Sequence, residues 1–404
     1  MDAENVKELT GKYIMNTYGR FDLTLKEGKG CALFDEDGKK YIDFASGIAV
    51  NSLGYNNAAI NSALKKQLNK LIHASNYFYT EPQALLAEKL CKNSFADKVF
   101  FCNSGAESVE GAIKLARIYA RKFSKRGYKI IAMQNSFHGR TFGALSATGQ
   151  DKYHIGFEPL LEGFTHVEFG DMDSVKKLVK GTHGGEYCAV IIEPVQGEGG
   201  VNIAGKDFLK GLRDLTSEND MILIFDEVQV GLGRTGTLFA YMNFGVEPDI
   251  MTLAKPLAGG LPVGAVLAKD FAAKAFEPGN HASTFGGGPL VMSAAGAFFD
   301  EITKEGFLGG VLKKGNYIKA KLNELKIDFP EFIKDVRGIG LIAAIEFYRF
   351  KAKDIAVKLI KEGFLTTAVQ DKILRLTPPL IIKKTEIDLF IESIVKILNY
   401  NYNK

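Results

Sequence analysis

Short apolar runs rich in β-branched residues recur through the middle of the chain, separated by stretches of helical or loop character. The runs are VFFC at 99–102, KIIAMQ at 129–134, AVIIE at 189–193, MILIF at 221–225, IMTLA at 250–254 and GAVLA at 264–268. Continuous apolar runs of this length are typical of strands that are covered on both faces. The pattern therefore predicts an α/β fold built around a mostly parallel sheet.

Two of these runs are followed by charged residues, Asp226 after MILIF and Lys255 after IMTLA. The carboxyl ends of neighbouring strands open onto one crevice, so a carboxylate and an amine are expected to face a common ligand there. Pyridoxal phosphate needs a lysine amine that bonds to its aldehyde and a carboxylate that keeps a proton on its ring nitrogen. A lone lysine in this position could be a surface residue, but the glycines and prolines of LAKPLAGGLPVGAV favour a closely packed loop.

Composition narrows the class of protein further. The 404 residues are 46% hydrophobic, enough for one large core and one smaller core. The net charge is +4 and the lysines are scattered, which gives no reason to expect nucleic-acid binding. The amino terminus lacks the pattern of a secretion signal, and no apolar segment is long enough to span a membrane. Neither a disulfide framework nor a metal site is expected from the four cysteines, so a cytoplasmic location is predicted.

The pattern changes near residue 289, where long helical segments begin. PLVMSAAGAFFDEIT and VLKKGNYIKAKLNELK are followed by the shorter strand-like pieces LIAAIEF and ILRLT, which indicates a separate α+β domain. The first fifty residues contain a hairpin pattern turned at Asp37-Gly38, and we expect them to join that domain. We therefore predict a large domain at 51–305 and a small domain formed by 1–50 and 306–404.

The segment 103–106, Asn-Ser-Gly-Ala, lies between a predicted strand and a helix predicted over 106–123. Ser104 can cap this helix, and Glu107 completes a capping-box pattern. Free backbone amides at a helix start attract phosphate, and Gly105 allows a ligand to approach closely. An ordinary capped helix is the competing interpretation. Because this segment follows a strand of the same predicted sheet as Asp226 and Lys255, we favour a phosphate site.

Further candidates follow other strands. Phe137 could stack on a flat ring, although core packing is the competing interpretation, and Arg140 could hold a carboxylate. His138, between them, is given no catalytic role. The loop 193–200, EPVQGEGG, places two carboxylates among glycines, which suits a site that changes its charge state, unless one acid is simply solvated. Gln229 could reach an oxygen on a bound ring.

One motif points to a different class of enzyme. Residues 231–236, GLGRTG, match the G-x-G-x-x-G pattern of dinucleotide-binding folds and follow a strand. The residues after them are too few and too aromatic for the expected crossover helix, and a nicotinamide-dependent oxidoreductase would leave Lys255 unexplained. We therefore discount this interpretation.

Taken together, these motifs resemble the class III pyridoxal phosphate-dependent aminotransferases, which have the aspartate aminotransferase fold (fold type I). The resemblance covers almost the whole chain through YIDFASGIAVNSLGY, NSGAESVEGAIKLAR, FHGRTFGALSATG, EPVQGEGGV, FDEVQVGLGRTG, AKPLAGGLPVGAV, HASTFGGGPL and ILRLTPPL. It implies pyridoxal 5′-phosphate as the cofactor, a large domain with a mostly parallel seven-stranded sheet, and a small α+β domain.

The resemblance also implies individual cofactor contacts. The residues that would contact the ring or its aldehyde are Lys255, Asp226, Gln229 and Phe137. The residues that would hold the phosphate are Ser104, Gly105, Ala106 and, from a neighbouring subunit, Thr284. Lys255 would be the covalent attachment and Asp226 the partner of the ring nitrogen. A homodimer with shared active sites is therefore implied.

For the substrates, the resemblance implies that Arg140 and Arg375 are carboxylate clamps and that Ser283 is a further contact. Glu198 resembles a switch that pairs with Arg375 when a terminal amine is bound and releases it for glutamate. The implied reaction transfers the terminal amino group of N2-acetylornithine to 2-oxoglutarate in arginine biosynthesis, giving N-acetylglutamate 5-semialdehyde and glutamate. Ornithine, succinylornithine, succinyldiaminopimelate and 4-aminobutyrate remain open as donors, as does an aminomutase reaction without 2-oxoglutarate.

Overall fold

The computed structural model describes residues 2–181 and 183–402. Within them, the strands are β1 (Leu25–Lys29), β2 (Ala32–Asp35), β3 (Lys40–Asp43), β4 (Lys98–Cys102), β5 (Lys129–Met133), β6 (Phe164–Val167), β7 (Tyr187–Ile192), β8 (Val195–Gln196), β9 (Asn202–Ile203), β10 (Ile222–Asp226), β11 (Ile250–Leu253), β12 (Gly264–Ala268), β13 (Ile333–Ile339), β14 (Ile342–Phe347), β15 (Phe364–Leu365), β16 (Thr367–Val369) and β17 (Ile373–Leu376).

The helices are α1 (Ala3–Tyr13), α2 (Ser46–Ala49), α3 (Ala58–Leu68), α4 (Glu81–Lys92), α5 (Gly105–Tyr119), α6 (Phe142–Ala147), α7 (Met172–Lys180), α8 (Lys206–Glu218), α9 (Asp270–Ala273), α10 (Pro289–Ile302), α11 (Phe307–Asp328), α12 (Ala352–Lys361) and α13 (Lys384–Tyr402). A π-helical turn, Ala120–Ser124, continues α5. None of the described helices is both long and apolar enough to cross a membrane.

A seven-stranded sheet in the order β4-β12-β11-β10-β7-β5-β6 forms the centre of the molecule. Every neighbouring pair is parallel except those that β12 makes with β4 and β11. The prediction of a mostly parallel sheet is therefore confirmed, and the six apolar runs correspond to six of its strands. The strand β6, FTHV, was not among the predicted apolar runs, because it lies at the sheet edge and only its last residue is buried.

The apolar runs are continuous because both faces of the sheet are covered. In β10, Leu223 and Phe225 belong to one buried cluster, whereas Ile222 and Ile224 belong to another. Successive side chains of a strand point to opposite faces, so the two clusters lie on opposite sides of the sheet. Because both faces are buried, residues 222–225 are all apolar.

A third buried cluster joins the beginning and the end of the chain. The hairpin predicted at Asp37-Gly38 is present as the antiparallel pair β2 and β3, and β3 also pairs in parallel with β15. Phe44 stacks on Phe390 of α13 with a ring separation of 4.3 Å. These contacts support the expectation that the first residues pack with the last hundred. The domain boundaries at 51–305, 1–50 and 306–404 stay a prediction.

The GLGRTG segment does not form a dinucleotide-binding turn. Residues 231–236 form turns and are followed by a short 3₁₀ helix, Ala240–Asn243, instead of a crossover α-helix. Arg234 is buried, and its guanidinium donates hydrogen bonds to the carbonyl oxygen of Leu341 (2.9 Å) and to Ser52 Oγ (2.9 Å). The motif thus serves to hold distant parts of the chain together.

Candidate active site

The loops that follow β4, β5, β7, β10 and β11 enclose one cavity of about 440 Å³. These strands run in the same direction, so their carboxyl ends meet at one edge of the sheet, where ligands of open α/β sheets bind. Most of the predicted site residues line this cavity, namely Ser104, Gly105, Ala106, Phe137, Arg140, Glu198, Asp226, Gln229 and Lys255.

Asp226 is held rigidly at the end of β10, with only 4% of its surface exposed. Its Oδ1 accepts hydrogen bonds from Thr252 Oγ1 (2.9 Å) and from the backbone N–H of Val228 (3.0 Å). Its Oδ2 lies 2.7 Å from Nδ1 of His138. Contacts on both oxygens fix the orientation of the carboxylate in the cavity.

The fully buried His138 is coupled to two acids. Burial works to lower the pKa of His138, but the hydrogen bond and charge of Asp226 outweigh it, so the net shift is upward. Glu193, at the end of β7, accepts a hydrogen bond from the backbone N–H of Phe137 (3.1 Å). Burial raises the pKa of Glu193 to about 8, against the opposing effect of His138. Glu193 therefore holds its proton more tightly than an exposed glutamate does.

Lys255 begins the turn after β11 and lines the same cavity as Asp226. Its φ of 35° is an uncommon value for a residue with a side chain, and such strain concentrates at functional sites. Burial lowers the pKa of Lys255, Glu198 acts in the opposite direction, and Arg375 lowers the pKa further. The amine is therefore easier to deprotonate than an exposed lysine.

The amino end of α5 faces the cavity as predicted. Ser104 caps the helix, and its Oγ accepts a hydrogen bond from the N–H of Glu107 (3.2 Å). Gly105 and Ala106 are the first two helical residues, so their N–H groups lack acceptors within the helix and remain available to an anion. A Cβ at position 105 would lie 2.7 Å from Cγ1 of Val228, so the backbone can approach this closely only with glycine.

The predicted capping box is only half formed. Glu107 does not bond back to the N–H of Ser104; its Oε2 accepts from the backbone N–H and the side-chain amide of Asn103, both at 2.9 Å. The carboxylate reaches one residue further because Asn103 offers two donors at the end of β4.

A second charged group is formed by residues that are far apart in sequence. Arg375 of β17 is 1% exposed, and its Nη1 donates to Glu198 Oε1 (2.5 Å) and Gln229 Oε1 (3.1 Å). Burial works to raise the pKa of Glu198, but the charge of Arg375 outweighs it, and the pKa is lowered. Arg375 does not itself line the cavity, but its charge is neutralised by Glu198, which does, and it also contacts the cavity-lining Gln229.

The model of the family described as Aminotransferase class-III matches residues 13–398. The chain belongs to the class-III aminotransferases. Among curated relatives, the acetylornithine aminotransferase of Caldanaerobacter subterraneus subsp. tengcongensis is 48% identical over 96% of this chain and 98% of its own. That of Methanocaldococcus jannaschii is 48% identical over 98% of both chains.

Solved structures of class-III aminotransferases have the same fold. The ornithine aminotransferase of Toxoplasma gondii superposes with a TM-score of 0.95, at 28% identity over 100% of this chain and 97% of that one. The acetylornithine aminotransferase of Elizabethkingia anophelis has a TM-score of 0.87, at 31% identity over 98% and 100%. These matches confirm the fold type I architecture.

Class-III aminotransferases depend on pyridoxal phosphate, and the residues present fit this group. The glycine at position 105 leaves space beside free helix amides for a phosphate, and Asp226 presents a fixed carboxylate at the end of β10. Lys255 supplies an amine whose pKa is lowered by burial. A phosphate, a ring nitrogen and an aldehyde therefore each have a suitable residue in one cavity.

Two of the cavity-lining residues, Arg140 and Phe137, are in contact with Tyr153. Arg140 is exposed, with its guanidinium 4.0 Å from the ring centre of Tyr153 and 5.5 Å from that of Phe137. Phe137 is half-buried and meets Tyr153 edge to face. The aromatic rings hold Arg140 without neutralising its charge, which leaves it available to a carboxylate.

Ser283 and Thr284 do not line the class-III cavity in this chain. Both line a different cavity, and Thr284 is exposed. Ser283 Oγ accepts a hydrogen bond from the side-chain amide of Asn103 (3.0 Å). Ser283 therefore contacts a residue that lines the active-site cavity but does not line that cavity itself. The predicted role of Thr284 in a neighbouring subunit is compatible with this position but remains a prediction.

Sequence reasoning missed the contacts made by His138, Glu193 and Thr252. Their types and positions at strand ends were visible, but a histidine after a strand is an ambiguous signal. The suggestion that one acid of the loop 193–200 is merely solvated is wrong, because Glu193 is buried and Glu198 is paired with Arg375.

Proposed function

We propose that this class-III aminotransferase transfers the terminal amino group of N2-acetylornithine to 2-oxoglutarate, giving N-acetylglutamate 5-semialdehyde and glutamate in arginine biosynthesis. The observation that carries the proposal is the ion pair, at 2.5 Å, between Arg375 and Glu198, which lines the cavity. A chain-terminal amine carries no carboxylate beside its reacting carbon, so it needs Arg375 neutralised. The 48% identity to proteins named acetylornithine aminotransferase supports this choice of donor.

Pyridoxal phosphate would be held by the amides of Gly105 and Ala106 with Ser104, by Phe137 against the ring, and by Gln229 at the ring hydroxyl. Asp226 would hold the proton on the ring nitrogen, and Lys255 would be the covalent attachment. When bound, the cofactor supplies an aldehyde that accepts the amino group and a ring that withdraws electrons from the substrate carbon.

Lys255 acts as the base in this proposal. As a neutral amine it takes the proton from the carbon that carries the reacting nitrogen, and burial makes the neutral form accessible by lowering its pKa. His138 holds Asp226 through the 2.7 Å contact, so the acid cannot turn away when the charge in the cavity changes.

The two substrates differ in where their carboxylates lie. N2-acetylornithine has one carboxylate, far from its terminal amine, and Arg140 is the exposed cation that can bind it. Glutamate has a carboxylate beside its reacting amine as well, and Arg375 would bind this group once Glu198 moves away. Leaving a buried arginine without any partner costs about 3–5 kcal/mol, so a movable counter-ion avoids that penalty.

The competing donors use the same clamps. Ornithine is the serious rival, because the fold matches an ornithine aminotransferase with a TM-score of 0.95. We favour N2-acetylornithine because fold similarity at 28% identity does not define a substrate, whereas the relatives at 48% carry the acetylornithine name.

We also propose a cytoplasmic homodimer with shared active sites. Tyr77, Phe78, Tyr79 and Phe285 expose most of their surface close to the cavity that contains Thr284; Tyr77 is 94% exposed. Large exposed aromatic patches mark interaction surfaces. A second copy covering this patch would bring Thr284 to the phosphate end of its partner's site.

Steady-state kinetics test the substrate assignment. We expect kcat/KM for N2-acetylornithine to exceed that for free ornithine, with absolute dependence on 2-oxoglutarate. A preference for ornithine would refute the named donor but leave the aminotransferase intact, and turnover without 2-oxoglutarate would indicate an aminomutase.

Visible absorption tests the proposed attachment. The purified protein should be yellow and should lose its band on reduction with borohydride, and Lys255→Ala should lack the band. Lys269→Ala, a change of the same type outside the cavity, is the matched control and should keep it. A band of normal intensity in Lys255→Ala would refute the attachment at this residue.

A further inference from the structure

A separate cavity, called here the basic cavity, lies at the carboxyl end of α5. It has a volume of about 580 Å³ and shares no lining residue with the candidate active site. Its cationic lining residues are Lys114, Arg117, Arg121, Lys125 and Arg126. No Asp or Glu of the described chain lines it. The volume is in the range of small-molecule sites.

Three of the cationic residues are spaced along the chain so that they lie on the same side of the helix. Lys114, Arg117 and Arg121 are three and four residues apart, so they share one face of α5 and its π-helical continuation. Like charges at this spacing destabilise a helix unless an anion lies between them. Lys125, which follows the π turn, has a left-handed backbone with φ of 57°.

The side chains are held in place by neutral groups. Lys114 Nζ donates to the carbonyl oxygen of Asn280 (3.1 Å), and Arg117 donates to the carbonyl oxygens of Tyr128 (3.1 Å) and Glu162 (2.9 Å). Carbonyl groups orient a cation but do not neutralise it. These two positive charges are therefore already in position before any ligand arrives.

The nearby carboxylate of Glu277, beside the cavity-lining Phe276, is paired at 2.8 Å with Lys122, which does not line the cavity. Arg121 is exposed and makes no ion pair within residues 2–181 and 183–402. The cavity is thus a concave, preorganised positive region.

We propose that the basic cavity binds a small anion that carries several phosphate groups. Arginine forks match phosphate oxygens bidentately, and several fixed cations favour a multiply charged ligand over a single carboxylate. Tyr128 and Phe276 add aromatic rings to the wall, and Arg117 lies 5.3 Å from the ring centre of Tyr128. The shared chemistry is a polyphosphate, which could be inorganic or part of a nucleotide.

Isothermal titration calorimetry tests the proposal on protein loaded with pyridoxal phosphate, so that the phosphate site at α5 is already filled. The probes are inorganic tripolyphosphate and metal-free ATP. We expect one site per chain, with an affinity that falls as salt rises. Equal affinities would indicate recognition of phosphate alone; tighter ATP binding that is reduced by Tyr128→Ala would add a contact to the base. Failure of both probes to bind refutes the proposal.

Arg121→Gln is the test variant, since this exposed side chain has no ion pair to lose and sits outside the active-site cavity. We expect binding about tenfold weaker, as for the loss of a charge-assisted contact. Arg349→Gln removes the same charge from an exposed turn elsewhere and should bind normally. Unchanged affinity in Arg121→Gln, or an equal loss in Arg349→Gln, would overturn the proposal.

Discussion

At the scale of single residues, the acids of the site differ because each one faces a different partner. Glu198 faces Arg375 and has a lowered pKa, whereas Glu193 is buried beside His138 and Asp226 and has a pKa raised to about 8. The same side chain is therefore held charged in one place and neutral in the other. Two predictions follow from this difference.

Glu198→Gln should impair the donor half of the reaction selectively. Glutamine cannot neutralise Arg375, so kcat/KM for N2-acetylornithine should fall by about tenfold or more, while glutamate should lose less than about threefold. Single-turnover kinetics with each amino donor measure both values. Glu346→Gln, which removes the carboxylate from the Arg337–Glu346 pair (2.7 Å), is the matched control and should change neither. Equal losses for both donors would contradict the switch.

Glu193→Gln should flatten the dependence of stability on pH. Between an ordinary glutamate pKa of 4.5 and the folded value near 8, the folded chain keeps a proton that the unfolded chain has lost. The free energy of unfolding of the wild type should therefore fall as pH rises through this window, by up to about 1.4 kcal/mol per pH unit from this group. Denaturant titrations at several pH values measure the slope. The exposed Glu331→Gln should keep the wild-type slope, and so would Glu193→Gln if the acid were ionised throughout.

At the scale of elements, the beginning of α5 combines a cap with a close backbone approach. Ser104 satisfies the N–H of Glu107, while Gly105 packs against Val228 with no room for a Cβ. The position of the free amides thus depends on how closely the helix start lies to the loop after β10. The same element is therefore responsible for both the local fold and the anion site.

Gly105→Ala should weaken cofactor binding. The added methyl would meet Val228 at 2.7 Å and displace the helix start, so we expect cofactor affinity to drop by about tenfold or more. Fluorescence titration with pyridoxal phosphate measures the dissociation constant. Gly296→Ala in α10, where no atom lies within 4 Å of the new Cβ, is the control and should bind the cofactor normally. Normal affinity in Gly105→Ala would argue against this phosphate site.

At the scale of the whole molecule, Thr284 lies apart from the candidate active site of its own chain. It is exposed and lines a different cavity, together with the exposed aromatic residues Tyr77 and Tyr79. The proposed dimer would cover these aromatic side chains and would add Thr284 to the site of the partner.

Hybrid dimers test this arrangement. In a dimer of Lys255→Ala with Thr284→Glu, one site carries both changes and the other carries neither if Thr284 acts across the interface. Doubly tagged hybrids should therefore have about half the wild-type activity, although each parent is impaired. If Thr284 served its own chain, both sites of the hybrid would carry a change and activity would stay near that of the parents.

The sequence by itself determined the sheet and the strand ends where chemistry is placed. Continuous apolar runs predict doubly covered strands, and residues just after such strands share one crevice, so the placement of Asp226 and Lys255 in one cavity could be predicted without coordinates. The glycine of the phosphate segment was also recognisable, because its conformational role is local.

Only the tertiary structure showed which side chains are in contact. The contact of Asp226 with His138, 88 positions apart, was not predicted, and the pairing of Glu198 with Arg375, 177 positions apart, was implied only by the family resemblance. The lengths of both contacts depend on how whole elements pack. The same holds for the edge strand β6 and for the separation of Thr284 from its own cavity. Local patterns define which strand a residue follows, but the distance between two loops is set by the packing of the complete fold.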